Sequence, residues 1–252
     1  MQTKLLNWAK ETYQTYLNLV KRYGDIGFYN QTPLCDIQAP VKVVVMGINP
    51  GSGDSFSNMK KNADWGFDKL GEEARHLIRG NVTWQEEHTR WRYWNNVMHL
   101  LKEAYPGIKE NEEKECVFTN ATFFNTPKAK DVFDGLYKET LPSTINLIKI
   151  LSPEMVISLS ANNFDRMKYA LGDDFQYVDV FGRRLMLGRH KEILFVSVWH
   201  PAARYSKAYK ELVQKSLALI REKRTRPMKE IVSSLQDSLQ EEWNAVKNGR
   251  KA

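Results

Sequence analysis

The chain predicts an α/β fold: a three-layer α/β/α arrangement around a central, mostly parallel sheet, with helical extensions at both termini. Three observations predict it. VKVVVMG (41–47), CVFTNATFF (116–124), MVISLSA (155–161) and ILFVSV (193–198) have the near-continuous apolar character of strands buried on both faces. Segments with helical spacing separate them, the alternation that parallel crossovers require. Of the residues, 42% are hydrophobic and 12% aromatic, ample for a core.

The elements follow in order. Residues 1–23 carry Leu5, Ala9, Tyr13, Tyr16, Leu17 and Val20 at spacings of three and four, an amphipathic helix ended by Gly24. A loop rich in Asn, Gln, Pro and Gly leads to the first strand. Before the second strand, Trp91, Trp94, Met98 and Leu101 share one helical face, which predicts core rather than a stacking platform and leaves Arg90 and Arg92 outward. Residues 131–151 read as helix up to Ser152-Pro153, and 162–171 as a short helix capped by Asn162 or Asn163 and stopped by Gly172. YVDV and RLML form a hairpin that feeds the last buried strand. Ser206 opens a helix that runs to about Arg224. After Pro227 a final helix carries Met228, Ile231, Val232, Leu235, Leu239, Trp243 and Val246. No repeat or low-complexity linker interrupts the chain, so one domain over 1–252 is expected, with its core at about 41–206.

Composition excludes several function classes. No run of about 18 apolar residues exists, so no membrane-spanning helix and no membrane partner are expected. The N-terminal stretch lacks an apolar leader segment and a small-residue cleavage site, which predicts a cytoplasmic protein, nucleoid-associated in a bacterium. The two cysteines, Cys35 and Cys116, form no CxxC, and the five histidines form no HExxH. The expectation is therefore reduced thiols, with no metal, iron–sulfur cluster or other cofactor. Lys and Arg outnumber Asp and Glu by 37 to 30, a net charge of +7, which favours a polyanionic partner and nucleic acid first.

In parallel α/β folds ligands sit beyond the carboxyl ends of the strands. Three segments at such places put polar side chains on turns stiffened by Pro, Gly or strand geometry: Gly47-Ile48-Asn49-Pro50-Gly51, Asn120-Ala121-Thr122, and His200-Pro201-Ala202-Ala203-Arg204-Tyr205-Ser206. Their order, spacing and residues resemble the uracil-DNA glycosylase superfamily. GINPG (47–51) is similar to its first motif in the mismatch-specific thymine/uracil branch. HPAARYS (200–206) is similar to its His-Pro loop, and FTNATFF (118–124) to the strand that carries an asparagine for the base. The resemblance covers about residues 41–206.

The resemblance implies roles residue by residue. Asn49 would hold the attacking water; an amide cannot take a proton, so it can only orient water toward a sugar that already has oxocarbenium character. His200 would donate a hydrogen bond to the pyrimidine O2 as charge grows on the departing base. Asn120 would recognise the Watson–Crick edge of a flipped base, with Gly47 and Ile48 lining the pocket and Phe56 as the aromatic platform. Arg204 and Tyr205 would fill the space the base vacates, and Ser206 and Lys207 would contact the DNA strand. Further basic groups at Lys210, Arg183, Arg184, Arg189, Lys191, Arg221, Lys223, Arg224 and Arg226 are candidates for phosphate contacts, about a third of them in that role. Two departures stand out: Ala202-Ala203 replaces Ser-Pro, and residues 52–94 match no pattern of the superfamily. Asp54 in that segment is an alternative water activator.

The function this implies is a monofunctional DNA glycosylase, because no lysine occupies a motif position suited to a Schiff base. It would act as a monomer on double- or single-stranded DNA and release uracil, mismatched thymine or a modified pyrimidine. Alternatives are the same chemistry on bulky hypermodified cytosines of phage DNA, in antiviral defence, or a non-catalytic binder of modified DNA. GINPGSGDS also resembles a phosphate loop superficially, but Asp54 stands where the lysine belongs.

Overall fold

The computed structural model describes residues 1–24, 27–35, 37–50, 74, 77–124, 126, 132–200 and 206–248. Its strands are β1 (Val43–Gly47), β2 (Cys116–Asn120), β3 (Met155–Ser158), β4 (Gln176–Asp179), β5 (Leu185–His190) and β6 (Ile193–Val198). They form one six-stranded sheet in the order β2-β1-β3-β6-β5-β4. The strands β2, β1, β3 and β6 are parallel, and β5 and β4 return antiparallel. The named helices are α1 (Gln2–Tyr23), α2 (Val82–Glu87), α3 (Arg92–Leu101), α4 (Glu112–Glu115), α5 (Asp134–Leu151), α6 (Ala161–Leu171), α7 (Lys207–Glu222) and α8 (Met228–Asn248).

Strand alternation divides the core between two faces. Val44, Met46, Val117, Val156 and Phe195 point to the face covered by α1, α5 and α6. Val43, Val45, Phe118, Ile157 and Val196 point to the face covered by α2, α3, α7 and α8. Every residue of β1, β2 and β3 is buried, which is why these runs show no polar alternation. The expected mostly parallel α/β/α architecture is the observed one. Among the described residues no helix is long and apolar enough to cross a membrane.

Two local expectations are corrected. The second apolar run leaves the ladder after Asn120 instead of continuing to 124. Ala121 and Thr122 turn their N–H groups to the carbonyls of Gly47 and Ile48 (3.0 Å each), and Phe123 donates to the Tyr16 hydroxyl at 2.6 Å. Helix α6 is capped by Ser160, whose hydroxyl accepts from Asn162 N–H at 3.2 Å, so neither asparagine is the cap. The expected helices at both termini are present and pack into the layers. Helix α1 buries Leu5, Trp8, Tyr13, Tyr16 and Leu19, and Trp8 Nε1–H donates to the Ser143 carbonyl of α5 at 2.8 Å. Helix α8 buries Ile231, Leu235, Leu239 and Trp243 in the core cluster shared with α7.

The loop after α1 also has work that its composition hid. Residues 28–32 run along the outer edge of β2, with Thr32 N–H on the Phe118 carbonyl (3.4 Å), Phe118 N–H on Thr32 Oγ1 (2.8 Å) and Tyr29 N–H on the Phe123 carbonyl (3.1 Å). They cap an edge that would otherwise present unpaired backbone groups.

Candidate functional site

Because β2, β1, β3 and β6 run parallel, Asn120, Gly47-Ile48-Asn49, Ser160 and His200 all leave the sheet at its carboxyl edge. Of the chain that follows β1, Ala74, Leu77 and Ile78 pack in the α1-side core and α2 and α3 in the opposite one, whereas the chain leaving β3 enters α6 on the α1 side. In parallel α/β sheets ligands sit beyond such strand ends. β1 and β6 are separated by β3 alone, so the two loops start two strand spacings apart, roughly 10 Å.

The first loop is pinned from both sides. The Gly47 carbonyl accepts from Ala121 N–H at 3.0 Å and from Nδ2 of the buried Asn163 at 3.1 Å. Gly47 and Asn120 are register partners across β1 and β2. A Cβ on residue 47 would lie 2.5 Å from Asn120 Oδ1, so only glycine leaves room for that carboxamide. Ile48 is half-buried and packs on the α1-side core. Asn49 donates from Nδ2 to Thr126 Oγ1 (2.8 Å), the Thr126 carbonyl (3.0 Å) and the Pro50 carbonyl (2.7 Å). Its donors are thus committed to protein, and its Oδ1 is the atom that can accept from a bound water.

Asn120 is 2% exposed and donates from Nδ2 to Gln31 Oε1 at 3.2 Å. That bond orients its amide.

The last strand delivers His200 on a braced backbone. Trp199 N–H donates to the Tyr209 hydroxyl at 3.2 Å, and the two rings stack at 5.2 Å. The His200 ring stacks on Tyr93, in the first turn of α3, with centroids 5.4 Å apart and planes 23° off parallel. Its edge is exposed, but enough protein surrounds the ring that desolvation lowers its pKa below the ordinary histidine value. The shift favours the neutral imidazole at and above neutral pH.

Basic groups sort by what they already hold. Arg189 donates to the carbonyls of Arg224 and Arg226 (2.9 Å each). Arg221 pairs with Glu154 at 3.2 Å and bonds the Ala104 carbonyl, and Arg183 pairs with Asp165 at 2.7 Å. Beside His200, Arg184 lies over Trp199 at 5.4 Å, and the Lys207 side chain is 91% exposed, 3.6 Å from Glu211. Ser206 uses its hydroxyl oxygen as the α7 N-cap, accepting from Tyr209 N–H at 3.2 Å. Lys210 reaches Asn96 at 3.5 Å, and Arg90 and Arg92 are exposed at the start of α3. Asp54, Phe56, Arg204 and Tyr205 lie outside the described residues.

Thr126, Tyr93, Asn163 and Gln31 join the site without having been singled out as site residues. Tyr93 is half-hidden between Trp91 and Trp94, whose core spacing dominates that segment. Thr126 and Gln31 sit in loops with no periodicity to mark them. Among the described residues no cluster of three or more His, Cys, Asp or Glu side chains is placed to hold a metal. Compared with known families and curated sequences, the chain matches no family model and no curated protein.

Proposed function

We propose that the protein is a monofunctional DNA glycosylase that extrudes a pyrimidine nucleotide and hydrolyses its N-glycosidic bond. The observation that carries this reading is the arrival of two distant groups at one sheet edge on either side of β3. One is an amide whose donors are committed, Asn49; the other is a neutral imidazole stacked on a tyrosine, His200.

Each does what this chemistry needs. As the bond between C1′ and the base nitrogen lengthens, its electron pair moves onto the base and positive charge grows on the sugar. The His200 N–H stabilises the base oxygen that gains charge, and a preorganised neutral donor requires no proton transfer in that step. Water accepted by Asn49 Oδ1 attacks C1′; its oxygen forms the new C–O bond and its released proton ends on solvent or the departing base. The products are free base and an abasic site. Extruding the base costs a few kcal/mol. The cations near His200 (Arg184, Lys207, Arg90 and Arg92) offer phosphate contacts that offset it.

The test is mass spectrometry of bases released from oligonucleotides carrying uracil, a G·T mismatch, hydroxymethylcytosine or glucosylated cytosine, single-stranded and duplex. Free base with an intact strand is expected from at least one substrate. Release from none of them, with binding retained, would favour a non-catalytic binder.

A further inference from the structure

His200 stacks on Tyr93, and a buried pair earlier in the chain places Tyr93. His88 and Glu112 meet Nε2 to Oε2 at 3.0 Å, with side chains only 11% and 7% exposed. The other ring nitrogen, Nδ1, lies 2.6 Å from the Trp84 carbonyl, which can only accept, so Nδ1 carries a hydrogen. The gap between Nε2 and Oε2 then holds one proton; without it a lone pair would face a carboxylate. The His88 ring stacks on Trp84 at 5.2 Å with planes 9° apart, and Trp94 meets it edge-on at 5.4 Å. Two routes lead from this pair to Tyr93. Through the rings, Trp84 packs edge-on against Tyr93 at 6.3 Å, and both pack on Phe118 of β2. Through the backbone, the His88 carbonyl accepts from Trp91 N–H at 2.9 Å. Asn95 Nδ2 donates to the carbonyls of Thr89 (3.0 Å) and Trp91 (3.1 Å), which ties the turn His88–Arg90 to the first turn of α3.

Resting on the glycosylase reading for what His200 does, we infer that His88 and Glu112 are positioning residues: their bond fixes Trp84 and the start of α3, and so sets where Tyr93 holds the His200 ring. Glu112 opens α4, directly before β2, so the bond fastens the turn ahead of α3 to the sheet. A buried pair of this kind is often no more stabilising than apolar side chains of the same volume. What its hydrogen bond adds is direction. Direction matters at His200, because a donor displaced by about 1 Å can cost about 100-fold in rate.

The experiment titrates the His200 ring by NMR of histidine-labelled protein, with single-turnover base release measured beside it. It uses the full chain and its Glu112→Gln, Glu112→Leu and His88→Phe variants. Glu112→Gln can donate its amide to Nε2 of the ring whose Nδ1 carries the hydrogen, so the bond survives. The His200 titration should stay in place and the rate within about twofold. Glu112→Leu and His88→Phe remove the bond. Each should move the His200 titration up toward the ordinary value near 6.5, as the ring loses part of its cover, and lower the rate about tenfold with KM kept. His88→Phe keeps an aromatic ring on Trp84 and decides the matter where Glu112→Leu fails to fold. A pair that only stabilises the fold would lower Tm and leave the His200 titration where it is. That result in the two bond-breaking variants, or an equal shift in Glu112→Gln, overturns the inference and leaves the glycosylase reading standing. If the unmodified protein releases no base, the glycosylase reading falls, and the titration still decides whether the pair positions His200.

Discussion

Asn49 is fastened through its amide nitrogen to both the hydroxyl (2.8 Å) and the carbonyl (3.0 Å) of Thr126, which turns its oxygen away from that anchor. Two consequences separate position from chemistry. Asn49→Ala removes the acceptor for water and should lower base release by about 100-fold or more, the cost typical of losing one preorganised group, with DNA affinity kept. Thr126→Val removes one of the acceptors that hold the amide and should lower the rate by about tenfold with KM unchanged. Single-turnover release assays beside binding isotherms measure both; full activity of Asn49→Ala on the true substrate would end the glycosylase reading.

His200 carries a pH prediction whose sign follows from its desolvation. A lowered pKa places its titration below the ordinary value near 6.5, so the ring is neutral at and above neutrality. If the neutral ring is the donor, kcat/KM should stay flat from about pH 7 to 9 and change only on the acid side. A fall in activity as pH rises through the histidine range would mean that the protonated ring is needed instead. Tyr93→Phe keeps the stacked face and should leave this profile in place. Tyr93→Leu removes the stack and should lower the rate and shift the acid limb.

Gly47 and Asn120 test how tightly the ends of β1 and β2 are packed. Gly47→Ala puts a methyl 2.5 Å from Asn120 Oδ1, and the carboxamide that must yield is buried and bonded to Gln31. Overpacking of this kind costs about 1–3 kcal/mol. In a chain of this size that lowers Tm by several degrees, at about 2–4 °C per kcal/mol. Base release should fall far more than stability does, because the displaced group is the one implied to meet the base. A variant that loses stability but keeps full release would separate Asn120 from the reaction.

What the sequence made legible follows from periodicity and position. The four buried parallel strands were visible because burial on both faces leaves continuous apolar runs, and Asn49, Asn120 and His200 because they follow such runs directly. Their braces were not. Thr126, Gln31 and Asn163 meet their partners through contacts distant in sequence, which no local pattern encodes. Tyr93 lies beside a stronger core signal, and Tyr16 looked like one more apolar residue of an amphipathic helix. Arg189 and Arg221 look like phosphate ligands in a charge count, yet Arg189 holds the carbonyls of Arg224 and Arg226, and Arg221 holds Glu154 and the Ala104 carbonyl.

Tyr16 shows how α1 serves the site. Its hydroxyl accepts from Phe123 N–H at 2.6 Å and lies 3.3 Å from Thr122 Oγ1, so an N-terminal helix holds the turn that follows Asn120. Tyr16→Phe keeps the ring in its cluster with Phe28, Phe123 and Phe124 but orphans a buried N–H. That costs about 1–3 kcal/mol and should appear as a Tm loss of several degrees in thermal unfolding. An unchanged Tm would mean the turn finds another acceptor at no cost.

The salt dependence of DNA binding decides which cations face the strand. Each phosphate contact contributes about −0.9 to the slope of log K against log salt on duplex DNA. Lys207, exposed beside the His200 loop, and Arg184, over Trp199, have side chains that no backbone carbonyl among the described residues engages. Lys207→Ala and Arg184→Ala should each weaken binding and flatten the slope by about one. Arg189→Ala should leave the slope alone and lower Tm, because it strips the donor from the carbonyls of Arg224 and Arg226. The opposite pattern, a slope sensitive to Arg189 and indifferent to Lys207 and Arg184, would move the DNA track away from the carboxyl edge of the sheet and leave Asn49 and His200 off its path.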